Sequence, residues 1–260
     1  PSWRTRLVWW GVIGRKGQQI RAPPTLGPMA ADASDCVLFD LDGTVSGAEW
    51  AYIRDIFDRV GQRLGRRFSD REAEILWHGL GGPRNTTLQG WGIDPDPFWE
   101  AFHAIEEPTQ RAEATYLHDD AAALLRTLRD RSMPVGLVTH CQEFLTEPVL
   151  RHLDIADWFD AVVCCTDDLG WKPDPAPVRQ AMAGLGVNTD HHGALVGDAA
   201  VDIGAAWNAG LDAVHVERHG HEARGRCVLG DYRVTALDSL LANTATDGGV
   251  DETPRGVDDA

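Results

Sequence analysis

After Tyr116 the chain alternates short apolar runs with segments of helical periodicity, and this alternation constrains the fold more than any other feature. Pro134-Val135-Gly136-Leu137-Val138-Thr139, Ala161-Val162-Val163-Cys164-Cys165, Ala194-Leu195-Val196 and Ala213-Val214-His215-Val216 read as strands, with a last short one near Tyr232 to Val234. Between them the spacing predicts helices over about 121–131, 175–185 and 200–209, and another from about Leu237. One more helix carries Pro148, which must kink it or lie in its first turn. Strands and helices in alternation cover both faces of a sheet, so the expected class is α/β, a doubly wound parallel sheet with right-handed crossovers. Such sheets hold ligands beyond the carboxyl ends of their strands.

An earlier run, Cys36-Val37-Leu38-Phe39-Asp40-Leu41-Asp42-Gly43-Thr44, ends abruptly in two acids, a glycine and a hydroxyl. Val37-Leu38-Phe39 shows no polar alternation, which suits a strand covered on both faces. Asp40 and Asp42 then stand at its carboxyl end, and Gly43 lets the backbone turn tightly beside whatever they hold. Taken alone, the stretch reads equally well as an Asp-Gly turn that merely ends a strand.

Between these two regions the periodicity is helical throughout. Trp50, Ile53, Ile56, Phe57, Val60 and Leu64 share one helix face, a second helix is expected over about 70–80, and a third from Pro97 to about Glu113. The loop formers Gly79-Leu80-Gly81-Gly82-Pro83-Arg84 separate the second from the third. Three helices without a strand predict one inserted unit. The expected organisation is an N-terminal extension over 1–34, an α/β core over 35–46 and 117–243, a small helical cap over 47–116 and an acidic, disordered tail over 244–260.

The N-terminal stretch differs from the rest. Residues 1–28 carry five basic side chains, no acid and three tryptophans in the first ten positions, and the first methionine is Met29. Translation from Met29 is the leading expectation, with a surface anchor or a targeting segment as alternatives. Without this stretch the net charge goes from −16 to −21. Only two lysines, Lys16 and Lys172, stand against many arginines, as on the acidic surface of a salt-adapted (halophilic) cytoplasmic protein; codon bias explains the composition as well. So negative a field disfavours nucleic acid as a partner. No apolar run approaches the ~20 residues that span a bilayer, so no membrane association is expected. Five cysteines without a Cys-x-x-Cys pair indicate neither zinc nor a disulfide framework.

Four features fall in order, each just after an apolar run: Asp40-x-Asp42-Gly43-Thr44, Thr139, the Lys172-Pro173 loop and Gly197-Asp198-x-x-x-Asp202. Together they resemble the haloacid dehalogenase superfamily, and Val196-Gly197-Asp198-Ala199-Ala200-Val201-Asp202-Ile203 is similar to its phosphoglycolate phosphatase group. The resemblance covers roughly Asp35 to Leu241, and the helical insert is similar to the cap of that group.

The resemblance implies a Mg2+-dependent phosphatase acting on a small phosphorylated metabolite, phosphoglycolate first among them. Displacement at a phosphate ester needs an oxygen nucleophile, a cation and a proton for the leaving alkoxide. Asp40 is the expected nucleophile, forming an aspartyl-phosphate, and Asp42 the acid that protonates the leaving oxygen and then activates water. Asp40, Asp198 and the backbone carbonyl of Asp42 are expected to hold Mg2+, with Asp202 an inner ligand or an orienting neighbour. Thr139 is expected on a phosphoryl oxygen and Lys172 on the charge of the transferring group, alongside Gly43 and Thr44. Lys172 is the only lysine after Met29, in a chain that otherwise uses arginine, as if a compact point charge were required there.

Arg84 is a candidate for a substrate carboxylate or second phosphate, and an exposed arginine otherwise. His140 stands where the family often has asparagine or glycine. Val45-Ser46-Gly47-Ala48-Glu49 lacks the acidic residue frequent there, which leaves leaving-group recognition open. His219 and His221 form a His-x-His without an evident third ligand. A phosphosugar mutase of the same fold is the nearest alternative. A non-catalytic binding or regulatory domain would be expected to have lost a motif residue, and a dehalogenase would lack Asp42. Monomer and homodimer are both compatible with the sequence.

Overall fold

The computed structural model describes residues 34–187, 192–225 and 227–241. The expectations for residues 1–33, including the start at Met29, and for the acidic tail lie outside the described residues.

In chain order the first half contains β1 (Cys36–Phe39), β2 (Ser46–Ala48), α1 (Trp50–Leu64), α2 (Asp70–Trp77), α3 (Arg84–Gly90), α4 (Pro95–His103), α5 (Pro108–Glu113) and β3 (Thr115–Leu117). The second half contains α6 (Asp119–Asp130), β4 (Val135–Thr139), α7 (Glu143–His152), β5 (Ala161–Cys164), α8 (Ala176–Gly184), β6 (Gly193–Gly197), α9 (Ala200–Ala209), β7 (Asp212–Val216), α10 (Gly220–Arg224) and β8 (Tyr232–Val234).

Six strands form one parallel sheet in the order β5-β4-β1-β6-β7-β8. From β1 the chain moves outward to β5, crosses back to β6 on the other side of β1, and moves outward again to β8. The order therefore reverses beside β1, and the crevice at such a reversal is where doubly wound sheets bind ligands. Alternate residues feed two cores. Val37, Phe39, Val135, Leu137, Val196 and Val214 pack under α6 and α7, whereas Leu38, Val138, Leu195 and Ala213 face α8 and α9. The absence of polar alternation in β1 thus reflects burial on both faces.

The inserted region departs from expectation in three ways. Five helices replace three: the stretch from Pro97 to Glu113 is two, α4 and α5, because Pro108 starts a new first turn with Glu107 accepting the N–H groups of Thr109 and Gln110. Arg84 opens α3 rather than lying in a loop. The insert is also flanked by strands, since β2 and β3 pair antiparallel from Ser46–Leu117 to Ala48–Thr115 and form the two connections between core and insert. Three-residue strands are too short for periodicity to reveal. Inside the insert, Phe57, Phe68, Phe98 and Phe102 pack edge to face or tilted at 5.5–6.3 Å between ring centroids, giving this region its own core.

Pro148 lies in the second turn of α7, not the first. The segment from Leu237 is a short 3-10 turn rather than an α-helix.

Candidate active site

The loop after β1 is built by its backbone. Asp40 N–H extends the ladder to Val196 O at 2.9 Å, and the N–H groups of Thr44, Val45 and Ser46 converge on Leu41 O at 3.3, 3.0 and 2.9 Å. The chain is thereby coiled back, with Asp40 buried and the partly exposed Asp42 paired with Arg111 of α5. Gly43 adopts φ +85°, and a Cβ there would lie 2.7 Å from Asp198 Oδ2, so both backbone and space require glycine. Gly197 is constrained by space alone, because a Cβ there would sit 2.3 Å from Asp202 Cβ and 2.4 Å from its Oδ2.

Lys172 reaches into the sheet's carboxyl edge and is buried. Its Nζ donates to Asp40 Oδ1 at 2.6 Å and to Val138 O at 2.8 Å, and lies 2.7 Å from Asp202 Oδ1. Residues 132 and 30 positions apart in sequence thus meet at one ammonium, because β1, β4 and β6 are neighbours. Asp202, in the first turn of α9, also accepts the Ala199 N–H at 3.0 Å through Oδ2.

Asp40, Asp198 and Asp202 each offer a carboxylate oxygen, all within 4.8 Å of one another, and all three residues are buried. One ammonium pairs with two of the three carboxylates. Burial pushes Asp40 up to about 7, with Lys172 opposing the shift and Asp202 adding to it. Asp198 is raised well above the ordinary carboxylate range by burial and by its two acidic neighbours. So unbalanced an all-oxygen donor set fits a hard divalent cation such as Mg2+. Asp42's side chain lies outside this cluster.

Thr139 ends β4, buried, and its Oγ1 accepts the Cys141 N–H at 3.0 Å, which leaves the hydroxyl proton to donate. Thr44 Oγ1 is buried without a partner. His140 stacks edge-on against Trp171 at 5.4 Å, its Nε2 is buried and unpartnered, and burial with Lys172 and Arg84 nearby keeps the ring neutral. Arg84 is spoken for in part: Nε donates to Leu76 O at 2.7 Å and Nη2 to Trp77 O at 2.8 Å, closing the carboxyl end of α2. It remains near enough to act on His140 and Asp198 electrostatically.

Three contributions were not read from the sequence. Arg111 of α5, buried, pairs through Nη2 with Asp42 Oδ1. Arg224 Nη2 and His215 Nε2 approach Asp198's backbone carbonyl at 2.9 and 3.1 Å, and Arg224 is itself held by Glu217. Arg218 ties Thr44 O, at 2.7 Å, to Asp120. A lone arginine among many carries no periodic or spacing signal, so only burial singles these out. His219 does not join a metal cluster among the described residues; its ring lies 4.1 Å from that of His78, across the contact between insert and core.

Comparison with known proteins agrees with this architecture. Residues 37–216 match the family model described as haloacid dehalogenase-like hydrolase. The phosphoglycolate phosphatase of Escherichia coli K12 is 34% identical over 201 residues, covering 68% of this chain and 79% of that protein. A protein of Caldanaerobacter subterraneus, provisionally named as the pyrophosphatase PpaX, is 27% identical over 181 residues, covering 70% of this chain and 80% of its own. The crystal structure of a HAD phosphatase from Thermococcus onnurineus superimposes with a TM-score of 0.54 at 25% identity, covering 79% of this chain and 95% of that one. The chain belongs to the haloacid dehalogenase-like hydrolase family.

Proposed function

We propose that this hydrolase is a Mg2+-dependent phosphatase that cleaves a small phosphomonoester through an aspartyl-phosphate on Asp40, with a phosphoglycolate-like ester as substrate. The observation that carries the reading is the gathering of the Asp40, Asp198 and Asp202 carboxylates within 4.8 Å of one another, with Lys172 Nζ 2.6 Å from Asp40 Oδ1. Mg2+ held by Asp40 and Asp198, with Asp202 beside them, would offset the negative charge of the phosphoryl oxygens.

The residues divide the rest of the work. Asp40's carboxylate oxygen attacks phosphorus as the ester P–O bond breaks, and Asp42 gives its proton to the departing alkoxide. A water then attacks the aspartyl-phosphate with Asp42 as base, the bond to Asp40 breaks, and phosphate leaves. Lys172 holds the Asp40 carboxylate in place and faces the charge of the transferring group. The Thr139 hydroxyl, anchored through its oxygen, presents its proton to a phosphoryl oxygen. Gly43 and Thr44 line the same loop, and His140 offers a neutral ring nitrogen. The two strand connections at β2 and β3 support reading the 47–116 insert as a cap able to close over the crevice. Its composition supports a cytoplasmic, salt-adapted setting, and among the described residues no helix is long and apolar enough to cross a membrane.

The test is Mg2+-dependent release of inorganic phosphate from an aryl phosphate and from phosphoglycolate, in wild type and Asp40→Asn. Wild-type turnover that is lost in the variant is expected. Activity surviving in Asp40→Asn would remove Asp40 as nucleophile, and formation of an isomerised sugar phosphate instead of phosphate would favour a mutase.

A further inference from the structure

Arg111 poses a problem of satisfaction. A guanidinium carries five N–H donors, and buried donors are almost always paired. Here Nη2 meets Asp42, while Nε, with one N–H, and Nη1, with two, have no partner although both are buried. The Tyr52 hydroxyl is likewise buried and unpartnered. It belongs to the same group, since Arg111 Cζ stands 5.9 Å from the Tyr52 ring and 4.9 Å from the Trp77 ring. Glu106 is the other acid near both, but its Oε2 contacts His103 Nδ1 at 3.4 Å. Three helices of the insert, α1, α2 and α5, therefore bring one fixed cation and one hydroxyl, both incompletely bonded, to the side of Asp42.

The aromatic rings explain why the cation stays put. Cation–π contact with the Trp77 and Tyr52 rings confines the guanidinium and leaves its N–H edges as the groups still to be matched. Leaving those edges unmatched is costly, so the arrangement makes sense when a ligand with acceptor oxygens completes it. Asp42 marks where such a ligand lies in the reaction, because Asp42 is the residue that protonates the leaving oxygen.

We infer that Arg111, with the Tyr52 hydroxyl, forms a subsite for an oxyanion on the leaving group, so that this cap selects phosphate esters or anhydrides whose departing half is itself anionic. The inference rests on the phosphatase reading above. A carboxylate one carbon beyond the ester oxygen and a second phosphate share this chemistry, since each presents oxygens to a guanidinium edge. Arg84, engaged with the carboxyl end of α2, is not required for it.

The test compares kcat/KM for phosphoglycolate and for pyrophosphate with that for ethyl phosphate, whose leaving group is small and neutral, at saturating Mg2+. Wild type is expected to prefer at least one anionic-leaving-group substrate, and which one identifies the oxyanion. In Arg111→Ala the ratio to ethyl phosphate is expected to fall about 10- to 100-fold, mainly through KM, the range that a buried charge-assisted hydrogen bond supplies. Tyr52→Phe removes only the hydroxyl and is expected to lower the ratio about 3- to 10-fold. If Arg111→Ala fails to fold, Tyr52→Phe decides the matter. A wild type that hydrolyses ethyl phosphate as well as both anionic substrates overturns the subsite, as does a ratio unchanged within threefold in every variant that folds. Failure of wild type to release phosphate from any of the three is a separate outcome, which overturns the phosphatase reading and the subsite with it.

Discussion

Replacing Lys172 with arginine keeps the charge and asks whether a compact ammonium is needed. Nζ has acceptors at 2.6, 2.7 and 2.8 Å and no exposed side to expand into. Each carboxylate contact corresponds to about 6 kcal/mol of gross attraction at an effective dielectric near 20. Desolvation cancels much of it, and breaking such a buried pair typically costs about 3–5 kcal/mol net. Lys172→Met should lose that stability and, by removing one fixed charge from the transferring group, about 10²–10³-fold in kcat. Lys172→Arg should keep most of the stability but push its planar head against Asp40 and Asp202, an overpacking of about 1–3 kcal/mol. Less than about 5% of wild-type kcat is expected to survive, because displacing Asp40 by even 1 Å can cost about 10²-fold. The assay is phosphate release from an aryl phosphate at saturating Mg2+, with melting curves on the same preparations. A Lys172→Arg enzyme with a third or more of wild-type kcat refutes the argument from size.

Gly43→Ala forces a side chain at φ +85° to within 2.7 Å of Asp198 Oδ2, so a loss of about 1–3 kcal/mol in stability together with weaker Mg2+ dependence is expected, read by Tm and by activity against Mg2+ concentration. Mg2+ should raise Tm, by the equivalent of about 2.7 kcal/mol at a hundred times its Kd, and Asp198→Asn should reduce that shift even where no turnover is measured. His78 is held down to about 3 by burial and by His219, Arg84 and Arg224, so the folded state binds fewer protons than the unfolded chain between that value and the ordinary 6.5. Stability from this group is present above pH 6.5 and lost on acidification, by up to about 2 kcal/mol at pH 5, and His78→Gln should flatten the difference in Tm between pH 7 and pH 5. An unchanged difference would show that His78 is not the group responsible.

The core was legible in the sequence because its strands are buried on both faces. Runs such as Ala194-Leu195-Val196 can be apolar throughout only where helices cover both sides, and Asp40, Thr139 and Asp198 stand at or just after the ends of such runs, with Lys172 further along the loop after β5. The insert was read less well. Periodicity found the faces of α1 and α2, but it merged α4 with α5 and missed β2 and β3, whose short pairing is dictated by position rather than composition. Arg84 illustrates the same limit, since its proline- and glycine-rich surroundings read as a loop, whereas it opens α3 and its side chain returns to the unpaired carbonyls at the end of α2.

By itself, the order of residues determined a doubly wound sheet and a set of acids, a threonine and a lysine at its strand ends, because burial and backbone geometry leave a local imprint on sequence. Tertiary structure decided everything that depends on distance between remote segments. It brought Lys172 between Asp40 and Asp202, aimed Arg224 and His215 at the carbonyl of Asp198, and set Arg111 against Asp42 under Trp77 and Tyr52. A buried arginine and an exposed one are the same letter, and only the folded chain shows which of its hydrogen bonds are left to be made.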